Sequence, residues 1–241
     1  MRWPSTSGPC RPISAAFRWR SIFSATPPAT NRPNVDLKPP ASPNEKKTQK
    51  GWKMNLPVHL RTPLEIQQIE SLKTGDRVLL SGTIYTARDA AHKRLVEIVQ
   101  KGGELPFDPE GQVIYYVGPT PARPGMPIGA AGPTTSYRMD PYAPALIERG
   151  LKGMIGKGAR GPEVREAMIR FKAVYLAAIG GAGALMAKSV RSAEVVAYAE
   201  LGTEAIRRLV VSEMPLIVVN DIHGGDLYVE GVMAYRRPFA S

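Results

Sequence analysis

From residue 54 onward the spacing of apolar positions switches between the strand period of two and the helix period of 3.6, and the switches predict a chain of alternating elements. Residues 63–70 lead into the turn Leu72-Lys-Thr-Gly-Asp76, which feeds the apolar strand Arg77-Val-Leu-Leu-Ser81 and its continuation Gly82-Thr-Ile-Tyr85. Residues 87–101 place Ala90, Ala91, Leu95, Ile98 and Val99 on one helical face, and Gly102-Gly103 stops that helix. A buried-type strand over 113–118, a Pro/Gly-rich loop over 119–131, a helix over 139–149 closed by Gly150 and a short strand over 153–156 follow. Pro162 opens a helix to residue 170. The apolar run 173–179, with its β-branched residues, is a strand, Gly180-Gly-Ala-Gly183 a loop, and 184–190 a helix. The tail reads as a strand or extended edge over 195–201, a helix over 203–209, and strands over 216–220 and 226–230. This alternation implies an α/β layer arrangement with a largely parallel sheet.

Residues 1–53 show no such periodicity. They hold nine prolines and ten Lys/Arg against two acids, Asp36 and Glu45. That composition cannot bury enough apolar surface to offset the entropy of ordering, so a disordered basic leader is expected, followed by one domain over 54–241. Two accounts of the leader stand side by side. The acid-free stretch 1–35, with its Arg and Ser, fits a mitochondrial transit peptide. Alternatively Lys50-Gly-Trp-Lys-Met54 reverse-translates to a purine-rich run before an ATG, as when a bacterial or archaeal start is placed too early. The second account implies a cytoplasmic protein, the first a mitochondrial one.

The leader also explains the charge. Of the formal net charge of +11, residues 54–241 contribute only +3, from 22 Lys/Arg against 19 Asp/Glu. A nucleic-acid-binding domain should carry its basic excess on the folded part, so a basic nucleotide- or RNA-binding module is a minor alternative that rests on pI and the glycine loops. Cys10, in the leader, is the single cysteine, and His59, His92 and His223 lack ligand spacing, so this chain by itself is not expected to hold a metal. No apolar run is long enough to span a bilayer.

Candidate chemistry gathers in three stretches. Gly132-Pro-Thr-Thr-Ser-Tyr-Arg-Met139 packs a turn, three hydroxyls and an arginine into eight residues. Gly82-Thr-Ile-Tyr-Thr-Ala-Arg-Asp-Ala-Ala-His-Lys-Arg94 puts Arg88 between a strand and a helix, where a guanidinium can fork onto a carboxylate beside free backbone N–H groups. Met154-Ile-Gly-Lys-Gly158 presents Lys157 between two glycines. Each has a bland counterpart: a Ser/Thr turn with a solvated arginine, a surface pair of Arg88 with Asp89 or Glu97, and a lysine on a tight turn. Gly180-Gly-Ala-Gly183 and Gly153-Met-Ile-Gly-Lys157 lack Walker or dinucleotide spacing and are better explained by close strand-to-helix packing. Asp221 and His223 sit in a turn after a strand and read as structural.

Together the three stretches, with the tail Val218-Val-Asn-Asp-Ile-His-Gly-Gly-Asp-Leu-Tyr228, resemble the C-terminal domain or separate β subunit of iron-sulfur-dependent class I fumarate hydratases and the related L-tartrate dehydratases. The resemblance covers residues 57–228. It implies a swivelling β/β/α domain related to the mobile fourth domain of aconitase. It further implies that Arg88 and Arg138 bind substrate carboxylates, that Thr134 exchanges the proton at the substrate carbon, and that Lys157 supplies the cation such a hydroxyl needs. Asp89, His92 and Thr135 then orient the arginine and the loop. The [4Fe-4S] cluster of such hydro-lyases is bound by three cysteines, which in the family belong to the other domain or subunit. The resemblance therefore implies half an enzyme, a β subunit that works with a cysteine-bearing α subunit, as an α2β2 heterotetramer, on a small dicarboxylic acid. Tyr85-Thr-Ala-Arg-Asp-Ala-Ala-His-Lys-Arg94 and Ala197-Tyr-Ala-Glu-Leu-Gly-Thr-Glu-Ala205 look more like the fumarate branch, with tartrate or another 2-hydroxy acid as alternatives.

Overall fold

The computed structural model describes residues 56–236; the expected leader over 1–53, with Cys10, lies outside them. Seven strands are arranged β1(Val58–Arg61), β2(Arg77–Thr86), β3(Val113–Tyr115), β4(Gly153–Gly156), β5(Val174–Ala177), β6(Val190–Ala197) and β7(Ile206–Asn220). Around them run α1(Ile66–Ser71), α2(Asp89–Gln100), α3(Ala143–Glu148), α4(Pro162–Phe171), α5(Gly183–Lys188) and α6(Leu227–Tyr235). Two 3-10 turns, Ser136–Met139 and Ala199–Glu204, join them.

β1 to β5 pair in parallel, in chain order. β7 then runs antiparallel to β5, to β6 and to β2, and its pairing with β2 closes the sheet into a small barrel. The sheet is thus mixed rather than largely parallel. Side chains of the inner strands alternate between two cores, as a pleat of period two requires. Val113, Tyr115, Ile155, Val174, Leu176 and Val218 join the cluster on one face, while Ile114, Tyr116, Met154, Tyr175 and Val219 pack on the other with Leu95 of α2, Leu146 of α3 and Met168 of α4.

Three local expectations change. Residues 203–209 are not a helix: Ile206–Asn220 is one long strand that takes partners on both edges, and that pairing overrides the helix-forming Glu-Ala-Ile-Arg-Arg-Leu run. Residues 226–230 begin a helix, α6, because the Asp226 carboxylate accepts the Tyr228 N–H as an N-cap. The expected helix 139–149 divides into the turn Ser136–Met139 and α3, with Pro141 between them and Pro144 in the first turn of α3. No helix among the described residues is long and apolar enough to cross a membrane.

Candidate functional site

Four parallel strands, β2 to β5, deliver their carboxyl ends to one edge of the barrel, and each is followed there by a residue singled out above or by a glycine. Arg88 stands two residues beyond β2, Gly118 three beyond β3, Lys157 directly after β4, and Gly180 three beyond β5. The loop carrying Thr134 is laid into this edge by backbone hydrogen bonds. Thr134 N–H donates to the Tyr116 carbonyl (2.7 Å), Lys157 N–H to the Thr134 carbonyl (3.2 Å), and Ser136 N–H to the Lys157 carbonyl (2.8 Å). Thr135 and Lys157 pair as an isolated parallel bridge. Thr134, Thr135 and Lys157 are therefore brought together, with Thr134 half-buried and Lys157 exposed.

Glycines make these approaches possible. A Cβ on Gly156 would collide with Ser136 Oγ and sit 3.0 Å from the Tyr116 ring. One on Gly183 would lie 3.1 Å from the Gly132 nitrogen, so the glycine loop 180–183 packs against the hydroxyl-bearing loop, not only against its own helix. Gly118 leaves room for Arg88: a Cβ there would be 2.9 Å from Nη1.

Arg88 and Arg138 meet across Asp89. The Asp89 Oδ1 is 2.9 Å from Arg138 Nε, and its Oδ2 is 3.7 Å from Arg88 Nη2. Asp89 was expected to orient Arg88; its shorter contact is with Arg138. Arg88 Nη2 lies nearer the Glu204 carboxylate, at 3.3 Å. Arg88 Nε and Asp89 Oδ2 are buried with no hydrogen-bond partner among the described residues. Such orphaned atoms cost on the order of 1–3 kcal/mol each unless a ligand or water completes them.

His92 faces inward from α2. Its ring contacts Tyr116 edge-on, with centroids 5.2 Å apart, and its Nδ1 lies 3.0 Å from the Arg88 carbonyl. Since that carbonyl can only accept, Nδ1 carries the proton and Nε2 is left as an unpartnered lone pair. Complete burial lowers its pKa to about 4, so the ring is neutral at pH 7 and supports the backbone at Arg88 rather than bringing charge to the site.

Behind the loop lies a polar cluster that the sequence reading did not pick out. Arg160 is buried, donating from Nε to Asp140 Oδ1 (2.8 Å) and from Nη1 to the Tyr116 hydroxyl (3.0 Å), with its guanidinium over the Tyr116 and Tyr175 rings at 5.3 and 5.2 Å. Asp140 Oδ2 accepts the Gly161 N–H. The Tyr175 hydroxyl donates to the Gly158 carbonyl and accepts from Ser136 Oγ, both at 2.8 Å. Burial disfavours the Arg160 cation, yet the attraction of Tyr116 and Asp140 outweighs it and raises its pKa. The cluster ties both ends of the loop, at Ser136 and Asp140, to the turn after β4. Its one sequence signal is the Gly158-Ala-Arg-Gly161 run, where an arginine between glycines looks solvated until the aromatic rings arrive from β3 and β5.

Asp221 and His223 lie at the far end of β7. The Asp221 carboxylate accepts from Thr74 N–H and Oγ1, His223 N–H and Gly225 N–H, a closed turn of structural character. Among the described residues no three His, Cys, Asp or Glu side chains come together as a metal site, so these residues do not fit an iron-sulfur cluster.

Against known proteins, the family described as Fumarase C-terminus matches residues 28–231. The anaerobic class I fumarate hydratase of Escherichia coli K12 is 38% identical over 175 residues, covering 71% of this chain and 32% of that protein. Fumarate hydratase 2 of Leishmania major is 36% identical over 175 residues, 71% of this chain and 31% of that protein. The L(+)-tartrate dehydratase subunit beta of Escherichia coli K12 is 36% identical over 185 residues, 74% of this chain and 90% of that subunit. The chain thus spans about a third of the two fumarate hydratases and nearly all of the tartrate dehydratase subunit. A match that extends over most of the chain and over nine-tenths of a single relative leaves one conclusion: the protein belongs to the fumarase C-terminus family.

Proposed function

We propose that the chain is the β subunit of a two-subunit class I fumarate hydratase, adding water reversibly to fumarate to give L-malate. The observation that carries this reading is the pairing of Arg88 and Arg138 across Asp89, with Arg88 Nε and Asp89 Oδ2 buried and unpartnered among the described residues, on the same strand edge as Thr134 and Lys157. Two guanidiniums suit a dicarboxylate: each offers a two-pronged contact to one carboxylate. Arg138 is held by Asp89 only at Nε, so its terminal amino groups remain to meet a ligand. Thr134, set by the Tyr116 and Lys157 hydrogen bonds, would exchange the proton at the substrate carbon, and the Lys157 ammonium would stabilise the alkoxide that this requires.

That chemistry needs water kept out, and the isolated chain leaves Lys157 exposed and the Arg138 side chain 44% exposed. A cysteine-bearing α subunit, as in an α2β2 assembly, would close the edge and hold the [4Fe-4S] cluster, which supplies Lewis-acid chemistry at the substrate hydroxyl when bound. Among the described residues of this chain no three candidate ligands come together to hold it. The swivelling, aconitase-like character of the domain belongs to the same proposal: a mobile half that closes over substrate. Cytoplasmic location goes with the late-start reading of the leader, mitochondrial location with a transit peptide.

A second reading is an L-tartrate dehydratase β subunit, supported by the 36% identity to such a subunit over 185 residues, 90% of that relative. One experiment separates them. The full chain is co-expressed with a cysteine-bearing partner, the cluster is reconstituted anaerobically, and fumarate and L-tartrate are assayed side by side. Turnover of fumarate is the expected result, turnover of tartrate alone selects the second reading, and turnover of neither overturns both.

A further inference from the structure

The 3-10 turn Ala199–Glu204 sits beside α2 and is fastened to it at both ends. Arg94, one turn into the helix, pairs with Glu200. At the other end the two oxygens of Glu204 divide: Oε2 accepts the Ala90 N–H at 3.0 Å, one of the free donors of the first turn of α2, and Oε1 stands 3.3 Å from Arg88 Nη2. The turn itself is stiffened from the strand side, where the Arg207 guanidinium donates to the carbonyl of Gly202 at 2.8 Å. On the opposite side of Arg88 is Gly118, whose missing side chain leaves the space that Nη1 occupies. Arg88 is thereby held between a carboxylate and a bare backbone, with its Nε buried and unpaired. Asp89 reaches Arg88 less closely, at 3.7 Å, and its other oxygen is 2.9 Å from Arg138 Nε.

We propose that Glu204 is the positioning residue that fixes Arg88 for its substrate carboxylate, holding the guanidinium by charge while capping the helix from which it projects. The inference deepens the proposed function and rests on Arg88 being a carboxylate receptor. It assigns a role to the Gly202-Thr-Glu-Ala205 segment, which otherwise figures only as a stretch of family likeness. The chemistry predicts a division of labour within one side chain. Glutamine at this position keeps an acceptor for the Ala90 N–H and turns an amide donor toward Arg88, so Glu204→Gln preserves the cap and removes the restraint. Glu204→Ala removes both.

The test has two readouts. In the full chain, NMR of the arginine side chains should give Arg88 Nε–H an order parameter in the rigid range, about 0.85, falling below about 0.6 in Glu204→Gln while the melting temperature stays at the wild-type value. Glu204→Ala should lose the rigidity and also melt earlier. In the assembled enzyme, Glu204→Gln should raise KM for the dicarboxylate about tenfold and change kcat less than about threefold. A rigid Arg88 in Glu204→Gln overturns the inference, and so does an unchanged KM in an active assembly. If Arg88 loosens but the wild-type assembly turns over neither fumarate nor tartrate, the restraint stands and the proposed function falls.

Discussion

Arg138 and Arg160 flank the same loop and have opposite fates. The Arg160 side chain is fully buried, with a carboxylate on Nε, a phenol on Nη1 and an aromatic ring on each side. Arg138 is 44% exposed and is held at Nε alone. The first is enclosed by its own fold, with Nη2 buried and without a partner among the described residues, and the second keeps much of its side chain at the surface. The contrast teaches that the loop is built in two tiers. A rigid tier of Arg160, Asp140, Tyr116, Tyr175 and Ser136 fixes the backbone, and Thr134, Arg138, Arg88 and Lys157, the tier proposed to receive substrate, stand beside it.

The sharpest way to break this comparison is to exchange the consequences. Arg160→Leu should cost about 3–5 kcal/mol of unfolding free energy, since Asp140 and the Tyr116 hydroxyl lose their partner inside the protein; urea unfolding reads it. If that variant unfolds like wild type, the rigid tier is misassigned. Arg88→Ala or Arg138→Ala should do the reverse, leaving the unfolding midpoint nearly unchanged and lowering kcat/KM in the assembled enzyme by the equivalent of about 2–5 kcal/mol, with Arg→Lys recovering little. Thr134→Ala should lower kcat by about 10²-fold or more and move KM far less, whereas Thr134→Ser should keep part of the rate. Wild-type kcat in Thr134→Ala would remove that hydroxyl from the chemistry.

His92 joins the two tiers, touching Tyr116 with its ring edge and the Arg88 carbonyl with Nδ1. Its pKa is about 4 in the fold, because of burial, against about 6.5 when exposed. The unfolded chain therefore takes up the proton first as the pH falls. Stability from this group is complete above pH 6.5 and is lost on descending to pH 4, by about 3 kcal/mol in all. Unfolding at pH 7 and pH 4.5 should show a smaller drop for His92→Gln than for wild type; equal drops would mean that the ring is reached by water. The smallest effect sharpens the comparison at the point where the tiers touch. Gly156→Ala pushes a methyl into Ser136 Oγ and should cost about 1–3 kcal/mol, with a parallel fall in kcat/KM as the Thr134 loop shifts. Loss of stability alone would show that the loop moves independently of its support.

Reading the sequence went furthest where local chemistry and tertiary structure agree. β2 with its following helix, the Gly153–Gly156 strand and the Pro162 helix start were all apparent, because period, glycine and proline point the same way in each. The residues proposed to receive substrate could be singled out because they crowd into short motifs. The rigid tier could not, since Tyr116, Arg160 and Tyr175 come from three separate elements and each looks ordinary alone. Glu204 was hidden for the same reason: 116 positions of chain separate it from Arg88, and the helix-like composition around it concealed that it stands at the mouth of a strand. The mixed sheet was likewise out of reach, because nothing local in Ile206–Asn220 announces that it will be paired on both edges.

That long strand also has a consequence for how the molecule comes into being. β7 is the stave that shuts the barrel, joining β2 at pairs such as Arg77 with Ile217 and Thr86 with Arg207, while β5 holds its far end. During synthesis the five parallel strands would leave the ribosome as an open sheet whose β2 edge waits for a partner still more than a hundred residues away. Closure over such a separation is entropically slow, and an open apolar edge is prone to pair with a neighbouring chain meanwhile. Nascent chains cut short before residue 206 should therefore be the aggregating ones, and yield in expression should depend on how quickly translation runs from Gly183 to Asn220.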